Sequence, residues 1–153
     1  MGTKFTEVYD KALVVMHDYR LDNLAKNDYD SFLTYLRGLL VDGIPEFTGS
    51  FKTLTYHLSE ETNEYEFDET LTAVEISILA ETIVYNWWKS LHNDVLAIRP
   101  KLSIREFKQT DISNGIKQRS EQIDKLHEKI QYDITQYQLS DFSQLPFFNG
   151  GDS

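Results

Sequence analysis

Apolar residues recur along this chain at helical spacing in three stretches, separated by segments with a different rhythm. Over about 3–19, Phe5, Val8, Tyr9, Ala12, Leu13 and Met16 fall three or four apart, which predicts one amphipathic helix. Over about 29–42, Phe32, Leu33, Leu36, Leu39 and Leu40 share a side, and Gly43 and Pro45 are the stop signals. A third stretch opens on Thr72-Ala-Val-Glu75, a capping box in which hydroxyl and carboxylate each satisfy a free backbone N–H. Ile76, Leu79, Ile83, Trp87 and Leu91 follow, and Ile78, Val84 and Trp88 widen the stripe. The helix is thus apolar around much of its girth and reads as the central one.

Between the second and third stretches the period changes. Leu54, Tyr56 and Leu58 alternate, and the acidic, turn-rich "SEETNEYEFDET" comes next, so 46–70 reads as an extended insert or weak hairpin projecting from a helical body. After Pro100 comes a second capping box, Ser103 to Glu106, and a polar segment running to about 138. There Ile116, Ile123, Ile130 and Tyr137 stand seven apart, with Leu126 and Ile134 between them, and Ser113-Asn114-Gly115 is a point of interruption. A stripe this narrow buries against one neighbour, in the same domain or in another copy. The expectation is a mainly α protein: a small helical bundle over 1–138 with a long C-terminal helix, a hairpin-like insert near 46–70, and an extended tail over 139–153. The tail is apolar and helix-breaking: Phe142, Leu145, Phe147 and Phe148 flank Pro146, and Gly150–Gly151 follow. It needs a cover, which is either a partner or the chain's own helices, and the Pro and Gly positions do not separate the two.

Composition narrows the function. A net charge of −10 disfavours a phosphate-backbone partner, and Arg99, Lys101, Arg105 and Lys108 form the densest basic segment. With no Cys there is neither disulfide nor thiolate chemistry, which fits a reducing cytoplasm. No apolar run approaches the ~20 residues of a membrane span, and the first residues lack a signal-peptide layout. His17, His57, His92 and His127 are scattered without metal-ligand spacing and read as surface or boundary groups. The carboxylates of 60–75 lack calcium-loop spacing and read as a solvated acidic loop. No phosphate-cradling glycine motif or nucleophile motif is present. The expectation is therefore no catalytic residue, no cofactor and no metal. In "YNWWKS" one Trp faces the core, and Trp88 is the natural outward-facing anchor.

Phe67 through Trp88 ("FDETLTAVEISILAETIVYNWW") and Leu102 through Leu126 ("LSIREFKQTDISNGIKQRSEQIDKL"), in the order set out above, resemble the small helical head–tail connector (adaptor) proteins of tailed bacteriophages; the likeness covers about 5–140. The resemblance implies a non-enzymatic virion protein of the neck, made in the bacterial cytoplasm. It implies a homo-oligomer, a dodecameric ring, between the portal and a downstream neck or tail protein, with DNA passing through its channel without specific binding. On that reading the partner-binding residues are Phe142, Leu145, Phe147 and Phe148 of the tail, Trp88, and Arg99 and Arg105. A different class of function is a bacterial helical module that binds a small ligand or peptide through the Trp helix. A third is a carboxylate metal enzyme built on 60–75.

Overall fold

The computed structural model describes residues 2–102 and 109–140, with side chains described for 2–94 and 114–140. Its elements are α1 (Phe5–Leu13), α2 (Tyr19–Asn27), α3 (Tyr29–Gly43), a one-turn 3₁₀ helix (Ile44–Glu46), β1 (Tyr56–Leu58), β2 (Tyr65–Phe67), α4 (Ala73–Leu102) and α5 (Gln109–Ser140). The protein is a mainly α bundle with a two-stranded antiparallel hairpin and a long C-terminal helix, as the hydrophobic pattern predicts.

Local chemistry sets the element boundaries. The predicted capping box at α4 is present: the Thr72 N–H donates to Glu75 Oε1 at 2.7 Å, and the Glu75 N–H donates to Thr72 Oγ1 at 3.3 Å. The helix expected over 3–19 is instead shorter. It ends at Leu13, and Asp18 starts a second helix by accepting the Arg20 N–H at 2.8 Å. An Asp side chain competes for backbone donors in this way, so it caps a helix better than it continues one. Met16 stays buried in the bend, so the apolar spacing persists although the helix does not. Asp28 repeats the device at α3, accepting from the Ser31 N–H at 3.1 Å and the Ser31 hydroxyl at 2.6 Å.

One further expectation is corrected. The chain does not break at Ser113-Asn114-Gly115; α5 passes through it. A glycine weakens a helix by only ~1 kcal/mol, less than the burial of the apolar stripe that follows it returns. α4 runs on to Leu102, with Pro100 in its last turn. The second capping box, Ser103 to Glu106, lies outside the described residues.

The core surrounds α4. Leu79 and Ile83 are fully buried, and Ile78, Ala80, Thr82, Val84 and Trp87 join them. Ile76, expected in this stripe, is only half-buried, and Ile78 takes the inner place. α1, α3 and α5 each pack on α4. Asn86 Nδ2 donates to the Leu39 carbonyl at 3.1 Å, tying α4 to α3. The pairs Glu75–Tyr137, Glu81–Lys129 and Tyr85–His127 follow one another in opposite order along the two helices, so α5 lies antiparallel to α4. Ile123, Ile130, Ile134 and Tyr137 are the buried side of α5, so its narrow stripe is used within the protomer.

The hairpin pairs Tyr56 with Phe67, His57 with Glu66 and Leu58 with Tyr65. It is anchored to α1 by aromatic packing: the Phe5 ring lies 4.8 Å from that of Phe67 and 5.2 Å from that of Tyr56, and Phe67 is fully buried. The N-terminal strand-like residues close this edge. The Phe67 N–H donates to the Thr3 carbonyl at 2.8 Å, and the Leu71 N–H donates to Thr3 Oγ1 at 2.8 Å.

Candidate interaction surface

Two surface features stand out, and both are built on α4. The first is a furrow along its outer side. α4 forms the floor, α5 one wall, and the end of α1 part of the other. In one half of the furrow, Val74 and Ile78 of α4 meet Gln136, Tyr137 and Ser140 of α5, with Phe51 at the edge. In the other half, Ala80 and Val84 meet Leu126 of α5 and Val14 and Val15 past the end of α1. Ser77 and Glu81 line both halves, so the furrow is continuous. The two halves enclose about 640 Å³ and 540 Å³. Val14 and Val15 are 75% and 60% exposed, far more than an isolated β-branched pair needs to be if it had a place in the core.

The floor of the furrow carries charge. Lys129 Nζ bridges Glu81 Oε1 at 2.5 Å and Asp133 Oδ2 at 2.7 Å. Burial, together with the neighbouring Asp133, pushes the Glu81 carboxyl above its usual range, although Lys129 opposes this. For Asp133 burial again works against ionisation, but Lys129 and Glu81 outweigh it and hold that carboxyl low. Glu81 Oε2 is buried and has no hydrogen-bond donor among the described residues.

Below the furrow a second carboxylate is fully satisfied. Glu75 is buried, its Oε2 accepts the Tyr137 hydroxyl at 2.6 Å, and the Phe51 N–H donates to that same hydroxyl at 2.9 Å. Lys52 Nζ stands 3.7 Å from Glu75 Oε1. Burial alone would raise the Glu75 pKa. The Thr72 N–H, the Tyr137 hydroxyl, the Thr72 hydroxyl and the Lys52 charge reverse that, and the carboxyl is held below its usual value.

The second feature is the Trp cleft. Trp87 is buried and its indole N–H donates to Asp18 Oδ2 at 3.2 Å. Trp88 is half-buried, with its ring 5.4 Å from that of Trp87, and it packs against the edge of the core rather than facing wholly outward. Trp88 lines a cavity of about 440 Å³ with Leu91, Asp18, Arg20 and Arg119.

The other sequence-predicted residues are placed as follows. Arg99 belongs to α4, but its side chain lies outside the described residues. Arg105, Phe142, Leu145, Phe147 and Phe148 also lie outside them. α5 continues to Ser140, so Leu139 and Ser140 are helical and are not part of an extended tail. The carboxylates of 60–75 serve structure: Glu64 pairs with Lys4 at 2.8 Å, Glu66 and Asp68 flank His57 at 3.0 and 2.5 Å, and Glu69 accepts from the Thr53 N–H at 2.7 Å. Sequence reasoning missed the furrow, because it needs the separation of α1 from α5. Its only sequence signal is the Val14–Val15 pair standing outside the three-and-four spacing.

No family model, curated protein or solved structure matches this chain. Among the described residues no helix is long and apolar enough to cross a membrane. The fold and surface define a mainly α bundle with an apolar furrow that no other described element covers and an aromatic cleft.

Proposed function

We propose that this chain is a structural subunit of a tailed-bacteriophage neck, a head–tail connector that assembles as a ring, docks on the portal and leaves a channel through which DNA passes. The observation that carries the reading is the run of elements, with a helical body, a hairpin insert, a capped central helix bearing the Trp pair and a long last helix, in the order in which the sequence resembles that family. The acidic balance of −10 supports it, since a conduit must not hold DNA. In this reading Trp88 is an anchor between subunits, Arg99 and Arg105 face acidic residues of a neighbour, and Phe142, Leu145, Phe147 and Phe148 seat on the portal once the ring docks. The subunit works by shape and contact, without catalysis or cofactor, as part of the virion.

The test mixes the purified chain with rings of a tailed-bacteriophage portal protein and sediments the mixture. Co-sedimentation with a ring-shaped density added below the portal is the expected result. A chain that stays monomeric and leaves the portal rings unaltered overturns the reading. One observation favours the second class of function: the cavity beside Trp88 sets an aromatic face among Arg20, Arg119, Asp18 and Asp94, a mixed lining that suits a small aromatic ligand or peptide carrying polar groups. Tight small-molecule binding by a monomer, quenched at Trp88 fluorescence, decides for that class.

A further inference from the structure

We propose that residues 141–148 of this chain lie in the α4–α5 furrow of their own protomer until a partner takes them. This goes beyond the connector reading and does not rest on it. Four observations converge.

The first is position. α5 ends at Ser140, and Ser140 itself lines the furrow, so the next residue emerges at its mouth. The second is length. The floor from Val74 to Val84 is eleven residues of α4, ten steps along the axis and about 15 Å of helix. Eight extended residues span at most about 26 Å, enough to run the furrow and bring Phe147 and Phe148 to Val14 and Val15. The third is chemistry. The furrow walls are Val74, Ile78, Ala80, Val84 and Leu126, and 141–148 supplies Phe142, Leu145, Phe147 and Phe148. The fourth is charge. Lys11, Lys52 and Lys129 are balanced along the furrow by Glu75, Glu81 and Asp133, so it presents no net charge to repel 141–148, whose one charged residue is Asp141.

The occupant is the chain's own segment and not a second copy for two reasons. A short tether sets an effective concentration in the millimolar range. A second copy also brings another net charge of −10 to a molecule that itself carries −10.

The absence of Cys makes the test clean. In the full chain, Asn149→Cys is paired with Val15→Cys on the furrow, or with Asn27→Cys on α2, which packs on α3. Both partner positions are exposed, so neither change disturbs the core. Under mild oxidation at low micromolar protein, the Val15 pair is expected to form an internal disulfide at least about tenfold faster than the Asn27 pair. Adding Phe147→Ser and Phe148→Ser is expected to abolish that preference. Equal rates for the two pairs, or a preference that survives loss of both Phe rings, overturn the proposal. Disulfides formed mainly between molecules overturn it in favour of a second copy. The result is independent of portal binding: a chain that ignores portal rings and still closes the Val15 disulfide refutes the connector reading alone.

Discussion

Leu79 and Glu75 show how differently single residues hold this fold. Leu79 is fully buried in the central stripe, so Leu79→Ala removes contact area and leaves a cavity, and is expected to lower unfolding free energy by about 2–5 kcal/mol in denaturant titration. Ile76→Ala, at a half-buried position, is expected to lower it by less, and equal losses would mean that the face is misassigned. Glu75 works through hydrogen bonds. Tyr137→Phe leaves the Phe51 N–H and Glu75 Oε2 without their partner and is expected to reduce stability by about 1–3 kcal/mol. The Glu75 carboxyl is held below its unfolded value, so its contribution is present above the usual carboxylate pKa and is lost as pH falls through the depressed folded value. Tyr137→Phe should therefore flatten the acid limb of the stability curve. An unchanged acid limb would assign that limb to other carboxylates. The capping box was legible from Thr72 and Glu75 alone because its chemistry is local. The hydroxyl of Tyr137 was not, because 62 residues separate it from Glu75.

At the scale of elements, α3 and α4 touch closely enough to rank two glycines of one helix. A Cβ at Gly43 would stand 2.2 Å from Thr82 Oγ1, whereas one at Gly38 meets nothing within 4 Å. Gly38→Ala is expected to stabilise by about 0.5–1 kcal/mol through helix propensity, and Gly43→Ala to destabilise, both read as shifts in melting temperature. Shifts of the same sign would contradict this packing. The hairpin carries its own pH dependence. His57 lies between Asp68 and Glu66; the hydrogen bond to Asp68 is the main reason that its pKa is raised, and the charges of Asp68 and Glu66 and the hydrogen bond to Glu66 add to it against an opposing loss of solvation. A raised folded pKa means that the ion pairs are complete below the ordinary His value of 6.5 and are lost as pH climbs through the raised one. An NMR titration should place His57 above 6.5, and Asp68→Asn should move it down. Elements with a strong period, α3, α4 and α5, were readable from the sequence. α2 was not: its apolar residues Leu21, Leu24 and Ala25 are few, and its start depends on Asp18, whose second oxygen is held by Trp87 from a distant helix.

For the whole molecule the balance is electrostatic. Subunits that each carry −10 repel unless their charge is unevenly spread, so a ring of this chain needs a basic face. On the connector reading proposed above, Arg99→Glu with Arg105→Glu is expected to weaken assembly on the portal and to remove much of its salt dependence, measured by sedimentation at two ionic strengths. Trp88→Ala is expected to leave the melting temperature within a few degrees and still reduce assembly. Assembly indifferent to all three changes would place the subunit contact elsewhere. The bundle itself was predictable because helices bury stripes whose spacing is written in the chain. The furrow was not, because it is the space left between α1 and α5 after each has packed on α4.

The clasp between Thr3 and β2 also sets an order of events during synthesis. α1 can coil as soon as it leaves the ribosome, but Thr3, two residues before it, hydrogen-bonds to the chain at Phe67 and Leu71, the latter 68 residues later. The Phe5 ring waits equally for Tyr56, Tyr65 and Phe67. Closing a loop of that length is only modestly unfavourable, because the entropy of closure grows slowly with loop length, yet it cannot happen before the hairpin has been translated. The first helix of this protein is therefore made early and fastened late, and until then Phe5 and Val8 are exposed on a nascent chain with no place to bury them.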